Sequence, residues 1–222
     1  MKSGCIIANS TLQNKDTHSY NVTVMDAESS SSFKYAILDF IQTLAVAAAI
    51  SLFIYWFFIQ PHRVDGSSME NSFYHEELIL TDKISYRLSK PKRGDVIVFQ
   101  APNTTDRDYI KRITGLPGES VLLRDGDVYI NGQILQESYT NEQHTTNGEE
   151  FLKDDTPYLI PDGYYFALGD NREHSSDSRS FGPVQKEKIV GKVWLRYWPP
   201  SSMGLIPSIH YPQFDESQSL KR

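Results

Sequence analysis

YIKRITGLPGESVLLRDGDVYINGQI, residues 109–134, alternates short β-prone runs with turn dipeptides. YIKRIT (109–114), SVLLR (120–124) and DVYI (127–130) are rich in Val, Ile, Leu and Tyr, and Gly, Pro, Asn or Asp separates them, the pattern of strands joined by turns. Asp125-Gly126 and Asn131-Gly132 tolerate the positive φ of a two-residue hairpin, so Val121 to Ile134 reads as a pair of tight hairpins. The pattern continues outward in LILT (78–81), DVIVFQ (95–100), YYFAL (164–168) and KIVGKVWLRYW (188–198). A mainly β domain is predicted over residues 61–198, with one short helix at Asp82 to Leu88.

Upstream, FIQTLAVAAAISLFIYWFFI (40–59) carries no charge. About 20 residues at ~1.5 Å each span roughly 30 Å, the thickness of a bilayer's hydrocarbon core. Asp39 bounds the run on one side, Pro61, His62 and Arg63 on the other, and Tyr55-Trp56-Phe57-Phe58 supplies the aromatic rings that favour a headgroup level. A cleaved secretory signal would be shorter, begin near the N-terminus and end in small residues. Residues 36–60 are therefore read as one transmembrane helix. Lys34 and Arg63 flank it symmetrically, so charge alone leaves its orientation open. Residues 1–35 are polar, include the run Ser29 to Ser32 and read as a disordered tail, with Met25 an alternative start. Residues 199–222 follow Pro199-Pro200 and read as a mobile tail.

Composition narrows the partners. The 222 residues carry a net charge of −6, and no basic block marks a nucleic-acid surface. Lys90, Lys92 and Arg93 form the densest basic cluster and read as a solvated loop before a strand. Cys5 is the only cysteine, so packing must hold the fold without an intramolecular disulfide. Asp170 and Asp177 lack the spacing of a Ca²⁺ loop, and neither a metal nor another cofactor is expected.

Two residues draw attention chemically. Ser68 lies in the flexible segment Asp65-Gly66-Ser67-Ser68-Met69-Glu70-Asn71-Ser72-Phe73, and a hydroxyl attacks a peptide bond at neutral pH only with a base beside it. Lys111 shares a strand face with Tyr109 and Ile113. To be half neutral near pH ~8 it needs a shift of roughly 2.4 units, or about 3.3 kcal/mol of disfavoured charge, within reach of a buried lysine. A third block, Gly169-Asp170-Asn171-Arg172-Glu173-His174-Ser175-Ser176-Asp177-Ser178-Arg179-Ser180-Phe181-Gly182, is dense in hydroxyls and alternating charge. It reads either as a solvated acidic loop or as a hydrogen-bonding shell around a dyad, and Asp177 can pair with Arg179 where the backbone is extended.

Taken in order, the apolar helix, Ser68-Met69, the strand Arg93 to Phe99, the segment Tyr109 to Glu119 and the block Gly169 to Gly182 resemble the bacterial type I signal peptidases. These are membrane-tethered Ser/Lys peptidases that remove signal peptides from exported proteins. The resemblance implies a signal-peptidase-like β fold of packed antiparallel sheets tethered by one N-terminal transmembrane helix. It implies Ser68 as nucleophile, Lys111 as general base and Ser175 as the hydroxyl that orients the lysine. It further implies ion pairs Asp177–Arg179 and Asp170–Arg112, an oxyanion donor in the Ser68 backbone N–H, and shallow pockets at Val64, Met69, Phe73, Tyr109 and Ile110 for Ala-X-Ala-like sites. The implied partners are signal peptides, the bilayer and the protein translocation machinery, with the N-terminus cytoplasmic and the domain extracytoplasmic.

Two positions depart from the family pattern. Gly66 stands where many members carry a serine, which implies a backbone-only or water-assisted oxyanion hole. Asn71-Ser72-Phe73 replaces Pro-Thr-Leu, which implies a looser turn and a narrowed −1 pocket. Two other readings of the chain are a catalytically inactive membrane-anchored β module that binds signal peptides or translocon components, and a self-cleaving repressor-type peptidase. The second requires a DNA-binding module where the apolar helix stands.

Overall fold

The computed structural model describes residues 21–102, 107–140, 145–209 and 211–214. Two units make up the chain, Met1–Leu52 and Phe53–Arg222. Helix α1 runs Asn21–Phe57 and contains a stretch of 23 residues, Phe33–Tyr55, long and apolar enough to cross a membrane. Residues 21–35 thus belong to a helix and not to a disordered tail, since extending an existing helix costs far less than nucleating one. The first 20 residues lie outside the described ones.

At its other end the helix stops at Phe57, short of the predicted Gln60. Ile59 and Gln60 already belong to strand β1, Ile59–Arg63, which pairs antiparallel with β2, Leu78–Asp82. Pro61, having no N–H to give a ladder and disfavouring helix in the residue before it, suits this position. β1 lies at the edge of its sheet.

The remaining elements are α2 (Ser85–Leu88), β3 (Val96–Gln100), β4 (Asp108–Gly115), β5 (Ser120–Arg124), β6 (Asp127–Ile130), β7 (Gln133–Ile134), β8 (Tyr158–Leu159), β9 (Tyr164–Leu168), α3 (Ser178–Phe181), β10 (Val184–Gln185), β11 (Ile189–Trp198) and β12 (Gly204–Leu205). A large antiparallel sheet has the order β1-β2-β11-β3-β4-β9-β10, with β12 added on β11, and a small sheet has the order β7-β6-β5-β8. The small sheet contains both predicted hairpins. Arg124 faces Asp127 and Ile130 faces Gln133, and all four turn residues have positive φ, with Asp125 at 53° and Asn131 at 49°.

β3 explains why DVIVFQ reads as an unbroken apolar run. Val96 and Val98 pack into a cluster with Val64, Met69, Phe73, Ile79 and Val193. Ile97 and Phe99 pack into another with Ile113, Tyr165, Ala167 and Val184. A strand buried on both faces needs no polar alternation. A third cluster joins the small sheet, through Val121, Leu123, Val128 and Ile130, to Phe166 and Leu168 of β9.

Residues 199–209 and 211–214 differ from the predicted mobile tail, whereas 210 and 215–222 lie outside the described residues. β12 pairs with β11 through Leu195↔Leu205, and the buried Tyr211 joins the third cluster and hydrogen-bonds Tyr139. Gly94, at φ +87°, lets this segment approach; a Cβ there would stand 2.9 Å from the Tyr211 ring. The Arg93 guanidinium lies 4.2 Å from the centroid of Phe214. The polar, proline-punctuated composition concealed these few apolar anchors. Tyr211→Ala is accordingly expected to destabilise the domain by about 3 kcal/mol, read as a lowered midpoint in denaturant. A midpoint equal to the parent's would mean the tail does not bear on the fold.

Candidate active site

The loop that carries Ser68 leaves β1 and is held by the segment that follows β9. Asn171 donates from its backbone N to Ser68 O and from its side-chain amide to Ser67 O, each at 3.1 Å. Gly169 packs against the same carbonyl, and an added Cβ would stand 2.5 Å from it. Glu70 N and Phe73 N close turns onto Ser67 O and Met69 O at 3.0 and 2.8 Å. The Ser68 N–H itself makes no hydrogen bond among the described residues.

Lys111 approaches from β4. Its Nζ lies 2.7 Å from Ser68 Oγ and 2.9 Å from Ile110 O, with the Tyr109 ring centroid 5.5 Å away. The lysine is only 4% exposed. Burial brings its pKa down to about 8, against the opposing pull of the Asp177 and Asp170 carboxylates and with some help from Arg179. A neutral amine is thus accessible at mildly alkaline pH.

Within the Gly169 to Gly182 block Asp170, Arg172, Asp177 and Arg179 are buried and ion-paired, whereas Glu173, His174 and Ser176 are exposed, so the ion-paired part of the block is not a solvated loop. Asp177 is extended at φ −144°, caps α3 and takes Arg179 Nε and Nη2 at 2.8 and 2.9 Å. Asp170 takes Arg112 Nε and Nη2 at 2.9 and 2.6 Å. Arg179 then donates to the carbonyls of Arg172 and Ser175, so the pair fixes the loop that leads to Ser175. Ser175 Oγ is buried but has no hydrogen-bond partner, and Lys111 takes Ser68 and Ile110 instead.

Three residues that the sequence reading passed over complete this framework. Arg172 bonds Gly169 O, Glu137 and Thr146, joining the block to residues between β7 and β8 of the small sheet. Glu137 and Thr146 sit outside every quoted motif, so only the buried guanidinium of Arg172 could have signalled them, by its need for an anion.

A cleft of about 370 Å³ opens beside Ser68 and Lys111, with Val64, Ile79, Val98, Tyr109 and Ile110 among its lining residues. It separates two strand margins. β1 is paired on one side only, and β4 pairs with β9 only from Arg112 onward, leaving the outer margin of Asp108 to Lys111 open. Met69 and Phe73 are not on the lining. Both are buried beneath it, each 1% exposed, in the cluster that contains Val64 and Val98, so Phe73 does not narrow a pocket directly.

Nor is the Asn71-Ser72-Phe73 turn loose. Asn71 adopts φ 86°, Ser72 Oγ accepts from Arg112 at 3.2 Å, and Ser72 O accepts from Arg196 at 3.0 Å. These bonds replace the rigidity a proline would give. His62, Asp108, His174 and Ser176 also line the cleft and were not singled out from the sequence. Among the described residues no group of three or more His, Cys, Asp or Glu could hold a metal ion.

Two measurements test this geometry. With a pKa of about 8 in the fold and about 10.4 unfolded, Lys111 is protonated in both states below pH ~8, and the folded state bears the cost of the buried charge. That cost is relieved as pH rises from ~8 to ~10.4, where the unfolded chain still binds the proton. Lys111→Met is therefore expected to gain up to about 3 kcal/mol over the parent at neutral pH and to lose that advantage above pH ~10.4. A constant offset at every pH would remove the desolvated amine. Phe73→Ala is expected to cost about 3 to 5 kcal/mol of stability while the preferred side chain at the cleavage site stays the same, as scored with a peptide set.

The chain matches the family model described as signal peptidase, peptidase S26, over residues 37–198. It is 36% identical to a probable signal peptidase I-2 of Synechocystis, covering 76% of this chain and 77% of that protein. It is also 36% identical to signal peptidase IB of Staphylococcus aureus, covering 75% of this chain and 92% of the relative. A solved signal peptidase I from Enterococcus faecalis aligns with a TM-score of 0.38 at 34% identity, covering 47% of this chain and 97% of that one. On the extent of the family-model match and of the two curated relatives, the chain belongs to the signal peptidase family, peptidase S26, serine endopeptidases that cleave signal peptides.

Proposed function

We propose that Ser68 and Lys111 form the catalytic dyad of a membrane-tethered signal peptidase acting on exported preproteins. The observation that carries this reading is the 2.7 Å approach of a buried amine of pKa about 8 to the Ser68 hydroxyl. Lys111, when neutral, takes the hydroxyl proton as Ser68 Oγ attacks the scissile carbonyl. The unengaged N–H of Ser68 stabilises the oxyanion, a contribution of about 3 kcal/mol for a well-placed donor. Lys111 then passes the proton to the departing amine, leaving an acyl-enzyme. Water, deprotonated by the same amine, attacks the ester carbonyl and restores Ser68. Gly66 has no hydroxyl to add, so the oxyanion site relies on backbone and water. Ser175, buried next to Gly169, serves as the positioning hydroxyl for the lysine once a peptide occupies the cleft.

The substrate enters as an extended strand between the open margins of β1 and β4. Main-chain hydrogen bonds then give affinity and alternate side chains give specificity. The apolar lining of Val64, Ile79, Val98 and Ile110 favours small apolar side chains, in keeping with an Ala-X-Ala-like site. Buried beneath them, Met69 and Phe73 support that lining. Helix α1 tethers the domain to the bilayer in which preproteins emerge, with the N-terminus cytoplasmic and the domain extracytoplasmic. Confinement of both partners to one plane raises their effective concentration.

Cleavage of a preprotein in detergent is expected to fall at least about a thousandfold in both Ser68→Ala and Lys111→Ala. The wild-type rate should climb with pH through about 8 as Lys111 loses its proton. Retained activity in both variants, or a single-turnover rate flat across that range, would exclude the dyad. Labelling of each terminus from one side of intact vesicles tests the orientation.

A further inference from the structure

Leu88, at the end of α2, is 85% exposed, the highest value among the large apolar side chains of the described residues. It sits in Arg87-Leu88-Ser89-Lys90-Pro91-Lys92, where Arg87, Lys90 and Lys92 are also exposed. Among the described residues these three cations form no ion pair, whereas Arg63, Arg93, Arg112, Arg124, Arg172, Arg179, Lys192 and Arg196 all do. Nearby carboxylates are already committed. Asp82 accepts from the N–H groups of Ile84 and Ser85, and Asp95 binds Tyr86 Oη at 2.9 Å and Lys192 Nζ at 2.6 Å. In a chain of net charge −6, this segment is a local positive patch around a bare leucine.

The segment is also fixed in place. Tyr86 packs against the cluster of Ile97 and Phe99 and Pro91 is buried, so the exposed stretch is held at both ends. Its position relative to Phe58 and Ile59 is set by hydrogen bonds, since Asp82 pairs with Ile59 and Lys83 N donates to Phe58 O at 3.1 Å. Phe58 directly follows α1, and five residues of chain from Lys83 reach at most about 17 Å. Leu88 therefore lies close to the residue at which the chain leaves its apolar helix.

We propose that Arg87-Leu88-Ser89-Lys90-Pro91-Lys92 is a membrane-docking element. Its three cations contact anionic phospholipid headgroups and Leu88 enters the interface beside them. Basic residues near an anionic surface and an apolar side chain reaching the acyl boundary are the two contributions that hold peripheral elements on a bilayer. The docking element adds to the tether a second contact that orients the domain. It rests on the reading of α1 as a bilayer helix and on nothing in the cleft.

The test uses the full-length chain in a Cys5→Ser background, reconstituted into phosphatidylcholine vesicles with or without phosphatidylglycerol. An environment-sensitive dye is placed at Leu88→Cys, at Val46→Cys within α1, or at Lys153→Cys as a remote surface control. The dye at Leu88→Cys is expected to shift to the blue and to be quenched by lipids spin-labelled near the headgroup in anionic vesicles. Both signals should be lost in neutral vesicles, at high salt and in the Arg87→Gln, Lys90→Gln, Lys92→Gln triple variant, whose peptidase activity in detergent stays at the parent level. Quenching at Val46→Cys but none at Leu88→Cys, or equal quenching at Leu88→Cys and Lys153→Cys, overturns the docking element. Quenching at Leu88→Cys that is indifferent to lipid charge overturns the headgroup contact. Absence of quenching at Val46→Cys by lipids spin-labelled deep in the acyl chain overturns the bilayer helix itself, and the docking element with it.

Discussion

Stripping water from an ammonium ion is the constraint around which this domain is organised. Lys111 is buried among groups that could easily undo the effect, since two carboxylates nearby favour its charged form. Each is occupied by a guanidinium, Asp170 by Arg112 and Asp177 by Arg179, so what reaches the lysine is closer to a pair of dipoles than to two anions. Desolvation then prevails. The pairs also have a mechanical part, because Arg112 reaches Ser72 in the turn after Ser68 and Arg179 holds the carbonyls of Arg172 and Ser175. Stiffness around the serine and electrostatic quiet around the lysine come from the same buried charges. Breaking such a pair leaves an uncompensated ion, typically a loss of about 3 to 5 kcal/mol, and here the serine loop would lose a strut with it.

How much of this was legible follows from the range of each interaction. Hairpins written in adjacent residues, Asp125-Gly126 and Asn131-Gly132, could be read directly, and so could the doubly buried run of β3. The apolar run of α1 was equally plain, although its limit was not. Helix stops at Phe57 because the following residues have a sheet partner in β2, information carried some twenty positions downstream. Long-range partners were the blind spot generally. Tyr211 reads as one aromatic in a polar tail until Gly94 is seen to make room for it, and Glu137 gains meaning only beside Arg172.

Within the site, Ser68 and Lys111 and the pairs Asp170–Arg112 and Asp177–Arg179 lie together, Ser175 does not bond Lys111, and the expected pocket residues fall in two layers. Val64, Tyr109 and Ile110 border the cleft, whereas Met69 and Phe73 lie behind them. A linear motif cannot distinguish a lining residue from the one that supports it, because both are apolar and both sit at turn-adjacent positions. The replacement of a proline by Asn71-Ser72-Phe73 reads as a loss of rigidity, yet two arginines from distant strands restore it through Ser72. Local stiffness was exchanged for tertiary stiffness, invisible to any window of sequence.

The half-paired strand β4 has one more implication. Its ladder with β9 begins at Arg112, so Lys111 is the last residue on an open margin. A chain seated alongside must offer its own N–H and C=O groups outward, and a helix has spent those groups on itself. If a signal peptide pairs with this margin as proposed, its apolar helix must end before it reaches Ser68, and the residues around the scissile bond must already be unwound. Because proline lacks the N–H, one placed at a paired position would leave a gap in that temporary ladder. Under that proposal, selection at this margin would act on the conformational freedom of the backbone as well as on the size of the side chains, so two substrates with identical small residues would differ in fate through what their neighbours allow the chain to do.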